Sequence, residues 1–310
     1  MMAIKEININ KISSQKDNVV QSFKNEIDVL SKLHHKNIIK YYGAYEKGDK
    51  LNILLEYCIA GSLYKLLEVY HHFKENIIRK FTFQILKGIE YLHSHNIIHR
   101  DIKCANILID RDGICKLSDF GDAKIIRDPH DNQKSPIQGT PNWMAPEIIK
   151  KGEATRFSDI WSIGCTIIEM YQGKPPWSNY YTPLSVMNCI YHAKKPPDIP
   201  TEASPEMKDF LSKCLQMEPS KRWNVNQLIN HPFIKKLPQN IRDAYDENDE
   251  LLQNGYFLDR NLIYAPMKFN IEDKNEIQKQ CRYRGSKFKS ENYDTRAPRT
   301  MNSMIQLESV

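Results

Sequence analysis

The chain has 310 residues, 41% of them hydrophobic and 26% charged, with a formal net charge of +6. That composition is ordinary for a water-soluble globular chain and is unlike collagen-type, fully disordered or membrane-embedded sequences. The longest apolar run, Ile160 to Tyr171, is too short to span a bilayer, and no basic block is interleaved with aromatics, so neither membrane nor nucleic acid is an expected partner. Seven cysteines are scattered without a C-x-x-C pair. They read as small buried apolar groups in a reducing, cytoplasmic setting, and the first residues carry no signal-peptide pattern.

In chain order, residues 2–9 alternate weakly and predict a strand. Val20, Phe23, Ile27, Leu30 and Leu33 recur every three or four positions and predict a helix over 17–34. The stretch IIKYYGAYEKGDKLNILLEYC predicts two strands around a Lys47-Gly48-Asp49 turn. After Ala60-Gly61-Ser62 the pattern turns helical, with Ile78, Phe81, Ile85, Ile89 and Leu92 on one face as far as His95-Asn96. ILID, the turn RDG and ICKLS form a hairpin signal. Residues 122–140 read as a loop, and helices dominate from 156 to 234. From 237 onward apolar residues lose their period, and 268–299 is basic. Residues 237–310 read as a basic, partly disordered tail.

The chemistry concentrates in IIHRDIKCANILID (97–110) and KLSDFGDAK (116–124). Phosphoryl transfer from a nucleoside triphosphate needs a carboxylate to orient a hydroxyl and accept its proton. It needs two oxygen ligands for magnesium, a cation on the phosphates and a group to hold that cation. Asp101, Asn106, Asp119, Lys5 and Glu26 supply these types in order.

These strings resemble protein kinases. His99-Arg100-Asp101 with Asn106 matches H-R-D-x-x-x-x-N, Asp119-Phe120-Gly121 matches D-F-G, Ala145-Pro146-Glu147 matches A-P-E, and Met2 to Lys5 matches the V-A-I-K strand. A three-residue string arises by chance; four in this order and spacing do not. GTPNWMAPE, LLEYCIAGSLYKLL and HRDIKCANIL narrow the resemblance to the MAP kinase kinase kinase group of MEKK type, over residues 2–234.

The resemblance implies an α+β fold of two lobes. Residues 1–58 are the partial N-lobe and hinge, 59–236 a mainly helical C-lobe, and 237–310 the tail. It implies ATP and Mg2+, with Asp101 as catalytic base, Lys103 on the γ-phosphate, and Asn106 and Asp119 as metal ligands. Lys5 would hold the phosphates, paired with Glu26. Leu55 would be the gatekeeper. Glu56 and Cys58 would be the hinge groups that bond adenine, and Ala3 and Leu108 the residues that sandwich it. Ser62 stands at a ribose-contacting position. Asp159 would brace the catalytic loop, Glu147 and Arg222 would form a structural ion pair, and Leu30, Phe120 and His99 would stack between the lobes. Arg100 and Lys124 would bind a phosphate on the activation loop, with Ser135 the first candidate to carry it and Thr140 contacting Asp101 and Lys103. The expected substrate is a MAP kinase kinase, with an upstream kinase or scaffold as partner. Asp122 departs from the family pattern by adding an acid beside D-F-G.

The family also carries two strands and a G-x-G-x-x-G-x-V loop ahead of Lys5, whereas the first glycine here is Gly43 and no G-x-G-x-x-G occurs later. The expectation is an N-lobe truncated by that hairpin, with residues 2–9 left as an exposed sheet edge. Two accounts are open: a piece of a longer kinase read from an internal methionine, or a catalytically impaired scaffold. The complete phosphoryl-transfer set favours the first.

Overall fold

Met2–Asn8 forms strand β1, with Ala3 and Ile4 buried, and it is followed by helix α1, Lys16–Leu30. A computed structural model describes residues 1–8, 16–126, 137–239, 241–242, 300–301 and 304–308. Helix α1 is shorter than the apolar period suggested. Lys32 N–H bonds Val29 O and Leu33 N–H bonds Leu30 O, a three-residue tightening that ends the helix while keeping Leu33 in the core.

Strands β2 (Tyr41–Lys47) and β3 (Lys50–Glu56) make the expected hairpin, with Gly48 left-handed at φ 58° in the turn. β3 also pairs antiparallel with β1, setting Lys5 opposite Ile53 and Ala3 opposite Leu55. The expected exposed edge of β1 is not what forms. Residues Met304–Glu308 pair with it antiparallel, Ile305 opposite Lys5 and Leu307 opposite Ala3, and Thr300–Met301 pairs beyond them. A strand edge is a row of unsatisfied N–H and C=O groups, and an extended segment of the same chain satisfies them.

Gly61–Ser62 (β4) opens the larger lobe and leads into α2 (Leu63–Tyr70), which Ser62 caps by accepting the Lys65 N–H. Helix α3 (Glu75–Ser94) buries Ile78, Phe81, Ile85, Ile89 and Leu92, the face its sequence period marked. Strands β5 (Ile97–Ile98), β6 (Ile107–Ile109) and β7 (Cys115–Leu117) follow; β6 and β7 form the expected hairpin, its turn held by the Asp110 carboxylate on the N–H groups of Asp112 and Ile114. The 122–140 stretch is not all loop: Lys124–Ile125 (β8) pairs with β5. Two-residue strands have no period to read. Ser135 and Cys281 lie outside the described residues.

Helices α4 (Pro146–Lys151), α5 (Arg156–Gln172), α6 (Pro183–His192), α7 (Pro205–Cys214), α8 (Val225–Ile229) and α9 (Pro232–Lys235) complete the lobe. α5 is apolar on most sides and lies at the centre, with Trp161, Ile163, Ile167 and Met170 buried. Each such side chain contributes roughly 1.5–3 kcal/mol. Thr155 and Ser158 cap its start reciprocally, and Gly173 ends it at φ 73°, where a Cβ would sit 2.0 Å from His71 O. Cys58, Cys104, Cys115, Cys165 and Cys214 are buried free thiols, as the sequence suggested. Beyond the last helix Leu237 is buried and Ile241 packs against the core.

Candidate active site

The segment 99–106 is held from below by α5. Asp159, at the N-terminal end of that helix, accepts hydrogen bonds from the backbone N–H of His99 (3.0 Å) and of Arg100 (2.9 Å). Arg100 has φ 68° and Asp119 φ 63°. Each such non-glycine backbone costs on the order of 1–2 kcal/mol, and the buried carboxylate of Asp159 offsets the cost at Arg100. The strained turn presents the Asp101 carboxylate. Its Oδ2 accepts from Lys103 Nζ (2.6 Å) and Asn106 Nδ2 (2.7 Å), and its Oδ1 from Thr140 Oγ (2.7 Å). Lys103 Nζ also donates to Thr140 Oγ. The sequence expectation for Asp101, Lys103, Asn106 and Thr140 is thus a single cluster. Gly139, at φ 107°, makes it possible: a Cβ there would lie 2.6 Å from Arg100 O.

Across the cleft, Lys5 Nζ lies 2.7 Å from Glu26 Oε2 and 3.0 Å from Asp119 Oδ1. β1 supplies the lysine, α1 the buried glutamate, and the turn after β7 the aspartate. Burial works to lower the Lys5 pKa, but the two carboxylates outweigh it, so the pKa is raised and the amine stays charged. Burial likewise works to raise Asp119, and Lys5 wins there too, holding that carboxyl below its ordinary value. Asn106 spends its amide hydrogens on Asp101, on the backbone oxygen (2.9 Å) and the carboxylate, so its amide oxygen is what remains for a cation. That oxygen and the Asp119 carboxylate are hard ligands of the kind magnesium takes, completed by phosphate oxygens and water. Among the described residues no group of three His, Cys, Asp or Glu could hold a metal unaided.

The residues expected to line the adenine fall into two strand pairs in separate sheets. Ala3 stands opposite Leu55 on β1 and β3, and Ser62 opposite Leu108 on β4 and β6. Ala3, Leu55 and Cys58 are buried. Glu56 donates its N–H to Lys40 O (2.8 Å), and its carboxylate pairs with Lys116 (3.2 Å), which fixes the strand that leads to the hinge.

Glu147 and Arg222 form a bidentate pair, Nη1 to Oε1 2.7 Å and Nη2 to Oε2 2.8 Å, with Ser158 Oγ also donating to Glu147 (2.8 Å). His99 and Phe120 rings lie 4.9 Å apart and, like Leu30, are fully buried. Arg100 is buried and donates through Nε to Asp122 O. Lys124 sits on β8 opposite Ile98. Burial raises the Asp122 pKa, and the Asp101 and Asp119 carboxylates add to the rise, which puts Asp122 within the same field as the metal-ligand candidates.

Two contacts that tie these segments to neighbouring helices escaped the sequence. Asn25 on α1 donates to the carbonyls of Phe120 (3.4 Å), Gly121 (3.2 Å) and Ala123 (2.9 Å), tethering the D-F-G turn to the helix that carries Glu26. His93 Nε2 shares a hydrogen at 2.9 Å with Asp159 Oδ2, behind the catalytic loop. Neither lies in a string with a recognisable spacing, so no local signal marked them.

Residues 1–234 match the family model described as "Protein kinase domain". Among curated proteins, the chain is 43% identical over 249 residues to Mitogen-activated protein kinase kinase kinase 3 of Arabidopsis thaliana, covering 79% of this chain and 38% of that protein. It is 46% identical over 240 residues to Mitogen-activated protein kinase kinase kinase YODA of the same plant (76% of this chain, 27% of that protein). It is also 46% identical over 244 residues to Mitogen-activated protein kinase kinase kinase A of Dictyostelium discoideum (78% and 26%). The chain therefore spans about a quarter to two fifths of the length of these relatives.

Proposed function

The chain belongs to the protein kinase family, and we propose that it transfers the γ-phosphate of ATP to serine or threonine residues of protein substrates, MAP kinase kinases among them. The observation that carries the reading is the cluster of Asp101 with Lys103, Asn106 and Thr140, faced by Lys5, Glu26 and Asp119. The names of the relatives support the choice of cascade.

In this mechanism the acceptor hydroxyl takes the place beside Asp101 that Thr140 and Lys103 border. Asp101 orients it and receives its proton as the oxygen bonds to the γ-phosphorus and the bond from that phosphorus to the β–γ bridging oxygen breaks, releasing ADP. Lys103 offsets the charge that develops on the transferred group. Lys5, held charged by Glu26, anchors the non-transferred phosphates. Asn106 and Asp119 would hold Mg2+, which neutralises phosphate charge when bound. Ala3 and Leu108 enclose the adenine, Leu55 lines its back, Glu56 and Cys58 offer backbone bonds and Ser62 lies near the ribose.

Control would come through Arg100 and Lys124 binding a phosphate at Ser135, placed by an upstream kinase or on a scaffold in the cytoplasm. Among the described residues no helix is long and apolar enough to cross a membrane. The test is transfer of labelled γ-phosphate to a degenerate peptide pool with one fixed Ser, Thr or Tyr. Transfer to Ser and Thr that disappears in Asp101→Asn supports the reading. Nucleotide binding without transfer in any form of the protein would leave the catalytically impaired scaffold instead.

A further inference from the structure

Helix α5 meets the catalytic loop along one face. Asp159, Ser162, Thr166 and Glu169 follow one another at three- and four-residue steps, which aligns them. Asp159 holds His99 and Arg100, Ser162 Oγ donates to Trp143 O (2.8 Å), and Thr166 Oγ reaches Ile102 O (3.3 Å).

Glu169 completes the row and has no place in the chemistry above. It is 2% exposed, and among the described residues it makes no ion pair. Its Oε2 accepts from Cys104 N–H (3.0 Å) and from Trp143 Nε1–H (2.9 Å). Burial raises its pKa against the pull of these donors. A carboxylate taken this far from water is tolerated only where donors satisfy it. Its donors come from two different segments. Cys104 follows Lys103 directly, and Trp143 lies three residues beyond Thr140. The loop that carries the base and the segment that faces the substrate are thus joined twice, at the reacting end by Thr140 and at the far end by Glu169.

We propose that Glu169 is a positioning residue that locks the catalytic loop at Cys104 to the 139–145 segment at Trp143, so that the two move as one unit and hold Thr140 and Lys103 on Asp101. The role assigned to these segments rests on the kinase reading; the mechanical coupling does not. A glutamine is a poor substitute. Its single oxygen can face both donors, as Oε2 does here, but without the negative charge that strengthens both bonds, and its –NH2 adds a donor to a pocket already filled by donors.

The experiment is residue-resolved amide hydrogen exchange on the whole chain, with Glu169→Gln and Trp143→Phe compared with the unmodified protein. Glu169→Gln is expected to speed exchange by about ten-fold at Cys104 and at 142–145 together, the scale of one lost charge-assisted bond. Trp143→Phe removes the indole N–H and its five-membered ring but keeps an aromatic side chain against the core and leaves Glu169 in place, and is expected to speed exchange at Cys104 by about three-fold. Unchanged exchange at Cys104 in Trp143→Phe overturns the proposal, as does a Glu169→Gln effect confined to one segment. In transfer assays Trp143→Phe should lower kcat by about ten-fold while the KM for ATP stays within about two-fold; an equal change in both points to general loosening and overturns it. Coupled exchange in a protein that transfers no phosphate would refute the kinase reading and leave the coupling standing.

Discussion

Replacing Arg222 by methionine should strip the larger lobe of a buried counter-charge. Glu147 is 6% exposed and its two oxygens receive Nη1 and Nη2 of Arg222 at 2.7 and 2.8 Å. Methionine fills similar volume, so the dominant loss is electrostatic: an ionised carboxylate remains in the interior with Ser158 as its remaining side-chain donor among the described residues. Removing one partner of a buried pair costs about 3–5 kcal/mol. For a domain of this size each kcal/mol moves the midpoint by about 2–4 °C, so the expected fall in Tm is about 6–20 °C. Thermal unfolding followed by circular dichroism reads it directly. The companion variant, Arg222→Met with Glu147→Met, removes both charges and should regain at least about half of the loss, the remainder reflecting the Arg222 bonds to Phe157 O and Gln216 O. A single variant within about 3 °C of the unmodified protein would refute the reasoning, and so would a double variant as unstable as the single one.

Asp101→Asn should lower phosphate transfer by about 10²–10⁴-fold, with binding of a non-hydrolysable ATP analogue retained, as equilibrium dialysis would show. Lys5→Met removes the cation that depresses the Asp119 pKa. The Asp119 carboxyl titration, followed by carbon NMR, should therefore move upward. The sign for stability follows: a depressed folded pKa contributes stability above the ordinary aspartate range and loses it as pH falls through the folded value. The Lys5–Asp119 contribution is thus present at neutral pH and absent in strong acid, and a Lys5→Met deficit that grew on acidification would contradict it. Gly139→Ala pushes a Cβ to 2.6 Å from Arg100 O at a positive φ. It should displace Thr140 from Asp101 and cut kcat by about ten-fold or more, against a Tm change of only a few degrees; unaltered kcat would show that the turn has another way to close.

Much of the site was legible because its chemistry is carried by short strings. Asp101, Lys103 and Asn106 lie within six residues, although the strained turn that presents them is held by Asp159 from a helix some sixty residues on. Helix α3 was legible for a similar reason, since burial of one face writes a period into the chain. Lys5 and Glu26 were named from family resemblance; that they meet at 2.7 Å with Asp119 beside them depends on β1, α1 and the turn after β7 closing on one another. The edge of β1 was misjudged because its partner, Met304–Glu308, stands some three hundred residues away in sequence, and pairing between strands is specified by backbone groups that every residue shares.

Asn25, His93 and Glu169 were invisible for a related reason. Each is an ordinary polar residue in an ordinary helix, and each acquires a role only from a partner segment brought against it. Residue identity and spacing determined which groups could accept a proton, hold a metal or anchor a phosphate, because those capacities belong to side chains and short turns. Which buried polar groups join the 99–106 loop, the D-F-G turn and the 139–145 segment was decided only when the chain folded, because a hydrogen bond in the interior depends on the distance and direction between atoms that the sequence leaves far apart.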